Sequence, residues 1–347
     1  MKKKKVMFLL CTNEYSGAEN ISLVIANNLV NRGYEAVYCS PDGIIREYIN
    51  KYFPKVRFLP LKKFNYFEIR KVLKNEKPNI VHATDFRVSM FMSVENYPYV
   101  VHLHNNPHWI RKKSIFTLAL LRTLNKSVGN IYVSKSIKDE FVFSKYVKNR
   151  TEVIENIVSL KRVVNGAQEN LSEHYDIGFF GRLTEQKDPI RFLKILKAVT
   201  DEMSNISAVM VGKSDGSLDD EIKKFLRENP MNVKLVGFQE NPYKFMNNCK
   251  IIIMPSKWEG FGLTAVEAML LGKPVLSTSA GGLKDVQHDT GNICNSDKEF
   301  VQKSIQLLEN NSTYVTNSRN VQKSVKRFTN INKYVDRILS IYNFLSK

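Results

Sequence analysis

Three features of the 347-residue chain predict an α/β fold of two doubly wound domains. Short apolar runs alternate with amphipathic stretches, the alternation restarts near the middle, and a hydrophilic segment, "LKRVVNGAQENLSEHY", separates the two series. Strands that alternate with helices form parallel sheets covered on both faces. The chain is also longer than one hydrophobic core usually organises. The first domain is placed at residues 1–165 and the second at 166–330, followed by a terminal helix.

In chain order, "KVMFLLCT" reads as a strand and "GAENISLVIANNLVNRG" as a helix that ends at Gly33. "EAVYCS", "NIVHAT", "YVVHLHN", "NIYVS" and "TEVIEN" follow as strands, each short and mostly apolar. Residues 108–126, "HWIRKKSIFTLALLRTLNK", read as one basic amphipathic helix. The second series opens with the strand "YDIGFFGRL" and the helix "DPIRFLKILKAV". The strands "ISAVMVG", "VKLVGF", "KIIIMPS" and "KPVLSTS" follow. Near the end, Ile331, Tyr334, Val335, Ile338, Ile341 and Tyr342 recur at helical spacing with no strand after them.

Composition narrows the class. With 43% hydrophobic and 25% charged residues the chain is of the soluble globular type, which excludes wholesale disorder. No apolar run approaches the ~18 residues of a membrane span. The opening "MKKKKVMFLLCTNEY" imitates a leader, but its apolar part is shorter than the ~7–15 residues required, so a first buried strand is expected. Cys11, Cys39, Cys249 and Cys294 are scattered among apolar residues and suit reduced core thiols in a cytoplasmic protein. The net charge of +18 is uneven: residues 1–170 hold 28 Lys and Arg against 14 Asp and Glu, residues 171–347 hold 24 against 20. A basic first half suggests a polyanionic partner, whether an anionic membrane surface, a phosphorylated substrate or nucleic acid; it reads also as a merely soluble Lys-rich surface. Nucleic acid is not expected, because that half lacks interleaved aromatic platforms or a recognition motif.

The chemistry concentrates in residues 256–269, "SKWEGFGLTAVEAM". After the strand "KIIIMPS", a helix is expected from about Gly262 to Leu271, ended by Gly272 and Pro274. Gly260 and Gly262 remove side chains where it begins and leave backbone N–H groups at the positive end of the helix dipole. Glu259 then lies in the loop and Glu267 in the second helical turn. Two acids beside an anion site make sense if they accept hydrogen bonds from hydroxyl groups, as a carboxylate does from a vicinal diol. They read equally well as a solvated loop acid and a helix-dipole complement. In "FFGRLTEQKDP", Gly181 precedes Arg182 and Lys187, two cations suited to a diphosphate without a metal, or to a plain charged surface.

The pairing of "GRLTEQKDP" with "EGFGLTAVE" resembles the GT-B fold glycosyltransferases of family 4, which transfer sugars with retention of configuration. The similarity runs through "SGAEN", "VHLHNNP", "VMVGKSDG" and "KLVGF" to the terminal helix, and so covers essentially the whole chain. It implies two Rossmann-like domains, the first binding the acceptor, the second the nucleotide sugar, with residues 331–347 packing back on the first. By the same resemblance Glu259 contacts the donor sugar, Glu267 holds the nucleotide ribose, and Arg182 and Lys187 bind the diphosphate. His104 meets the sugar near the reacting carbon, and Gly17 lies in the turn beside the phosphates. Gly181, Gly212, Phe238, Gly260, Phe261, Gly262 and Leu263 complete the implied donor site. The chain departs from the pattern with Ser16-Gly17 where two glycines are usual and Asn105 where an acid is common. Both departures bear on the acceptor-side details and not on the donor site as a whole.

A UDP-sugar donor, a glycan or lipid-linked acceptor and a role in bacterial surface polysaccharide synthesis are therefore expected, at the inner face of the cell membrane. No cofactor and no metal are expected: no Asp-x-Asp follows an apolar strand, and His102, His104 and His108 lack a further ligand at metal spacing. The Gly-x-Gly-x-x-Ala pattern in "GFGLTA" comes late and lacks a ribose acid after the next strand, which argues against a dinucleotide fold. "LGKPV" has Pro274 where a phosphate loop needs Ser or Thr. A sugar-nucleotide epimerase and a non-catalytic nucleotide-sugar-binding subunit remain the alternatives.

Overall fold

The computed structural model describes residues 3–169 and 171–342. The chain divides into two compact units: residues up to Asn156 together with those from Ile331 onward, and Ile157–Asn330. Each is a parallel sheet flanked by helices.

The first sheet contains β1 (Lys5–Leu9), β2 (Glu35–Pro41), β3 (Arg57–Leu61), β4 (Ile80–Thr84), β5 (Tyr99–Leu103), β6 (Gly129–Tyr132) and β7 (Thr151–Val153), in the order β3-β2-β1-β4-β5-β6-β7. β4 and β5 are buried at every residue, which is why their sequences are almost unbroken apolar runs. The strand order reverses between β1 and β4. β3 was not anticipated from the sequence, because Pro60 interrupts "RFLPL". It forms the sheet edge, where a missing N–H costs no ladder bond.

In the second sheet β8 (Tyr175–Phe180), β9 (Ser207–Val211), β10 (Asn232–Gly237), β11 (Cys249–Met254) and β12 (Val275–Ser277) run β10-β9-β8-β11-β12. The core beneath it includes Ile177, Phe179, Phe192, Leu196, Ile251, Ile253 and Phe300. Here the order reverses between β8 and β11. Ligands of doubly wound sheets bind past the carboxyl ends of the strands at such a reversal.

Two expectations need correction. The segment expected to link the domains is largely the helix Leu160–Ala167, whose Val163 is fully buried, so the units part at Asn156 rather than at residue 165. Asn170 of that segment lies outside the described residues. Residues 108–126 form a 3₁₀ turn, His108–Arg111, and a separate helix, Ile115–Lys126. Ser114 breaks them apart: its hydroxyl accepts from the Thr117 amide while the Thr117 side chain accepts from the Ser114 amide, a capping box that starts a new helix.

The C-terminal helix, Ile331–Tyr342, belongs to the first unit and packs on the helix Gly17–Asn31. Val335, Ile338 and Ile341 are fully buried, and a Cβ on Gly129 would come within 2.6 Å of Ile341. The Tyr342 hydroxyl bonds His82 Nδ1 at 2.6 Å. Residues 343–347, read as part of this helix, lie outside the described residues, as do Met1 and Lys2. Trp109 stands in the first unit against Phe86, and Trp258 in the second, so each unit carries its own fluorophore. In a Trp258→Phe background, Ile338→Ala should destabilise the first unit by about 2–5 kcal/mol, the usual cost of such a cavity. Denaturant unfolding followed through Trp109 measures it, and an unchanged midpoint would place this helix outside the unit's cooperative core.

Candidate active site

The loops that follow β8 and β11 meet at the strand reversal of the second unit. Lys187 Nζ pairs with Glu259 Oε1, and the Ser256 hydroxyl donates to the same oxygen at 2.9 Å. Both partners are largely withdrawn from solvent, with 14% and 7% of their side chains exposed. The loops are also joined through Gln186. Its carbonyl accepts from the Lys257 amide at 2.9 Å, and its side-chain amide donates to the Trp258 carbonyl at 3.0 Å. Arg182 remains exposed and reaches Gln186 Oε1 at 3.4 Å. The sequence therefore placed Arg182, Lys187 and Glu259 on two loops, and the fold brings those loops together.

Glycines shape the floor of this region. Gly212 follows β9, and a Cβ there would lie 1.8 Å from the Gly181 carbonyl oxygen, so the two loop backbones approach as only glycine allows. Gly212 also donates to the Gly237 carbonyl at 2.9 Å, which ties in the loop after β10; Phe238 follows and is 63% exposed. Gly260 packs under Gly282, and Phe261 is buried edge-on against Phe328. Gly262 is the left-handed N-cap of the helix Leu263–Leu270, which has no side-chain cap, leaving its first amides to whatever else binds there.

Glu267 stands in that helix. The Tyr243 hydroxyl donates to its Oε1 at 3.0 Å. Burial pushes its carboxyl up from the ordinary range, and the Arg162 charge, the Tyr243 hydrogen bond and the Lys187 charge each oppose that shift. Tyr243, Arg162 and Ser256 were not singled out in the sequence. Ser256 had a signal, the Ser-x-x-Glu spacing to Glu259. Tyr243 lies 24 positions from Glu267 and had none.

Gly17 and His104 belong to the first unit. Gly17 begins the helix after β1, with Ser16 as its N-cap. The Glu19 carboxylate, on the first turn, accepts from the Thr12 hydroxyl at 2.7 Å and from the Ser16 hydroxyl. His104 follows β5, and its ring lies 3.9 Å from that of His102, centroid to centroid. His102 Nδ1 is 2.9 Å from His82 Nε2. Burial pushes His82 and His104 down to about 3, and His102 falls as well, so all three rings are neutral at neutral pH. Among the described residues neither His104 nitrogen finds a hydrogen-bond partner. The His104 amide donates to Asp85 Oδ1 at 2.7 Å, and burial pushes that carboxyl up to about 7. Among the described residues no group of three or more His, Cys, Asp or Glu is arranged to hold a metal ion.

Two Rossmann-like parallel-sheet units, one with cations and acids gathered at its strand reversal, define the GT-B class of fold. The solved structure of Anabaena Alr3699/HepE in complex with UDP and glucose superposes with a TM-score of 0.82 at 20% identity, covering 98% of this chain and 100% of that one. Residues 165–324 match the family model "Glycosyl transferases group 1" and residues 15–162 the model "Glycosyltransferase Family 4". The chain belongs to these family 4-like, GT-B glycosyltransferases. An uncharacterized glycosyltransferase of Methanocaldococcus jannaschii, MJ1059, is 27% identical over 61% of this chain. The capsular polysaccharide biosynthesis glycosyltransferase CapM of Staphylococcus aureus is 29% identical over 51% of it. The matches span 58% and 48% of those relatives' own lengths.

The shielded ion pair makes a prediction about stability. Lys187→Met strands the Glu259 carboxylate and should cost about 3 kcal/mol, whereas Lys187→Met with Glu259→Gln should recover most of the loss. Denaturant unfolding of the two variants checks this. Equal costs for the single and double variants would mean that the pair is solvent-screened.

Proposed function

We propose that the protein is a retaining, metal-independent glycosyltransferase that moves a sugar from a UDP-sugar to a hydroxyl of a glycan or lipid-linked acceptor in bacterial surface polysaccharide synthesis. The observation that carries this reading is the Lys187–Glu259 pair at the β8/β11 reversal, above an uncapped helix N-terminus and ahead of Glu267. A diphosphate arriving there competes for Lys187, leaving Glu259 to accept hydrogen bonds from sugar hydroxyls. Glu267 takes the ribose. The choice of uridine follows HepE, whose structures hold UDP, and the pathway follows CapM.

As the sugar–phosphate bond breaks, negative charge grows on the diphosphate and positive charge on the sugar ring. Arg182, Lys187 and the amides around Gly262 stabilise the first charge, an effect worth a few kcal/mol per preorganised group. The acceptor oxygen bonds the anomeric carbon on the face from which phosphate departs, and the departing phosphate oxygen takes its proton. Retention follows without a protein nucleophile.

The acceptor side adds a surface. On the helix Ile115–Lys126, Thr117, Leu120, Thr123 and Leu124 face inward, while Ile115 and Phe116 are 75% and 65% exposed and Leu118 also faces solvent. Exposed Arg111, Lys112 and Lys113 precede them. Apolar residues beside cations suit an anionic lipid surface, where the protein meets a lipid-linked acceptor. No helix among the described residues is long and apolar enough to cross a membrane.

Glu259→Ala should lower turnover roughly 10²–10³-fold with little change in UDP affinity, because it touches the sugar whose charge develops. Glu267→Ala should chiefly weaken UDP binding. Rates with EDTA should equal those with magnesium, and NMR of the product should show the donor's anomeric configuration. An inverted product would remove the retaining mechanism, and conversion of donor alone would favour an epimerase. For the membrane, sedimentation with anionic vesicles should exceed that with neutral ones and fall with salt. Lys112→Glu with Lys113→Glu should weaken it about 30-fold or more, at about 1 kcal/mol for each lysine lost and further repulsion from the new glutamates. Equal indifference to both vesicle types would make the acceptor a soluble glycan.

A further inference from the structure

Glu267 is held from one side only. Its Oε1 accepts from Tyr243, and its Oε2 accepts from no described residue. Tyr243 is 4% exposed and its own position is fixed several times over. Asn241 donates through Nδ2 to the Gly166 carbonyl at 2.9 Å and accepts from the Tyr243 amide at 3.1 Å, which ties Tyr243 to the helix Leu160–Ala167. The ring lies so close to that helix that a Cβ on Gly166 would stand 2.6 Å from Tyr243 Cδ2. The Arg162 guanidinium, from the same helix, lies over the ring at 5.8 Å. A carboxylate on a helix of the donor half is thus aimed by a tyrosine that a second helix holds in place.

We infer that Tyr243 is a positioning residue for nucleotide recognition: by holding Oε1 of Glu267 it presents Oε2 to the 2′,3′-diol of a ribose. This rests on the reading that Glu267 takes the ribose, and it adds the group that sets the geometry. A free carboxylate rotates about its last bond and divides its time among orientations; one pinned oxygen fixes the plane of the other. Bidentate recognition of a diol needs that plane. The helix Leu160–Ala167 thereby acts on specificity without touching the ligand.

The test crosses a protein change with a ligand change. Calorimetry compares UDP with 2′,3′-dideoxy-UDP on the unsubstituted protein and on Tyr243→Phe, with GDP and its dideoxy form as a second base. The unsubstituted protein should prefer the ribose form by about 10–100-fold, as hydrogen bonds to a charged group do. Tyr243→Phe should reduce the preference to within about threefold while dideoxy binding changes less than twofold. The dideoxy affinity also serves as the control for folding. Loss of dideoxy binding in Tyr243→Phe would move the test to Asn241→Ala, which frees the tyrosine without removing its hydroxyl, and an undiminished preference there would overturn the inference. A Tyr243→Phe protein that kept the full ribose preference would likewise overturn it. Equal affinity of the unsubstituted protein for both forms, or for neither, would instead remove the ribose reading of Glu267, and the inference with it.

A second readout separates positioning from mere packing. The groups that bear on Glu267 are Arg162, Tyr243 and Lys187. Losing the Tyr243 hydrogen bond, which favours the charged carboxylate, should raise the pH below which UDP affinity falls. A ring that only fills space would leave that midpoint unmoved.

Discussion

The second unit's candidate site depends on one ion pair. Lys187 and Glu259 lie 72 residues apart in sequence, and their contact joins the loops that follow the paired strands β8 and β11. Those strands are neighbours only because the sheet reverses its order there. A shielded pair of this kind is a poor source of net stability, since removing two charges from water costs about what their attraction returns. Its value lies in holding a cation and an acid, both pre-oriented, where water competes weakly. On the function proposed above, a diphosphate gives Lys187 a partner of higher charge while sugar hydroxyls take the place of Lys187 on Glu259.

The surrounding backbone serves the same constraint. Gly212 presses on Gly181, the Gly212 amide holds the Gly237 carbonyl, and the Gln186 side chain and carbonyl bind the loop before Gly260. Backbone contacts at Gly181, Gly212 and Gly237 thus act together with the Gln186 and Lys187 side chains to set the loops after β8, β9, β10 and β11. Side chains there remain available for a ligand. Phe238 is the plainest case, a large aromatic left in solvent at the end of an edge strand.

Much of this was legible in the sequence because buried parallel strands have a strong signature. "NIVHAT" and "YVVHLHN" read as strands and are buried throughout β4 and β5, histidines included. Arg182, Lys187 and Glu259 could be picked out too, since each lies in the loop that follows such a run. The illegible parts share one cause: their conformation is decided by distant partners. β3 is a strand because β2 pairs with it, despite Pro60. The helix Leu160–Ala167 buries only Val163 fully, so its polar surface looked like a linker until Gly166 met Tyr243. Ser114 marked a break inside residues 108–126, but a serine amid an amphipathic pattern is a common helical residue until its capping bonds are seen.

In the first unit the C-terminal helix does more than cover a sheet. Tyr342 bonds His82, His82 bonds His102, and the His102 ring lies tilted against that of His104, so a line of polar groups runs from the last described turn of the chain to the end of β5. Hydrophobic residues would fill that volume at lower desolvation cost. Each bond in the line has one donor and one acceptor, so the tautomer of each ring sets that of the next. If the Tyr342 hydroxyl donates, His82 donates to His102 and an N–H of His102 points onward; reversing the first bond reverses the rest. Such a line makes the state of the last ring depend on a residue about 240 positions later, which bare packing does not do. The chain leaves the first unit at Asn156 and returns at Ile331, and the returning segment completes the environment of the histidines on β4 and β5.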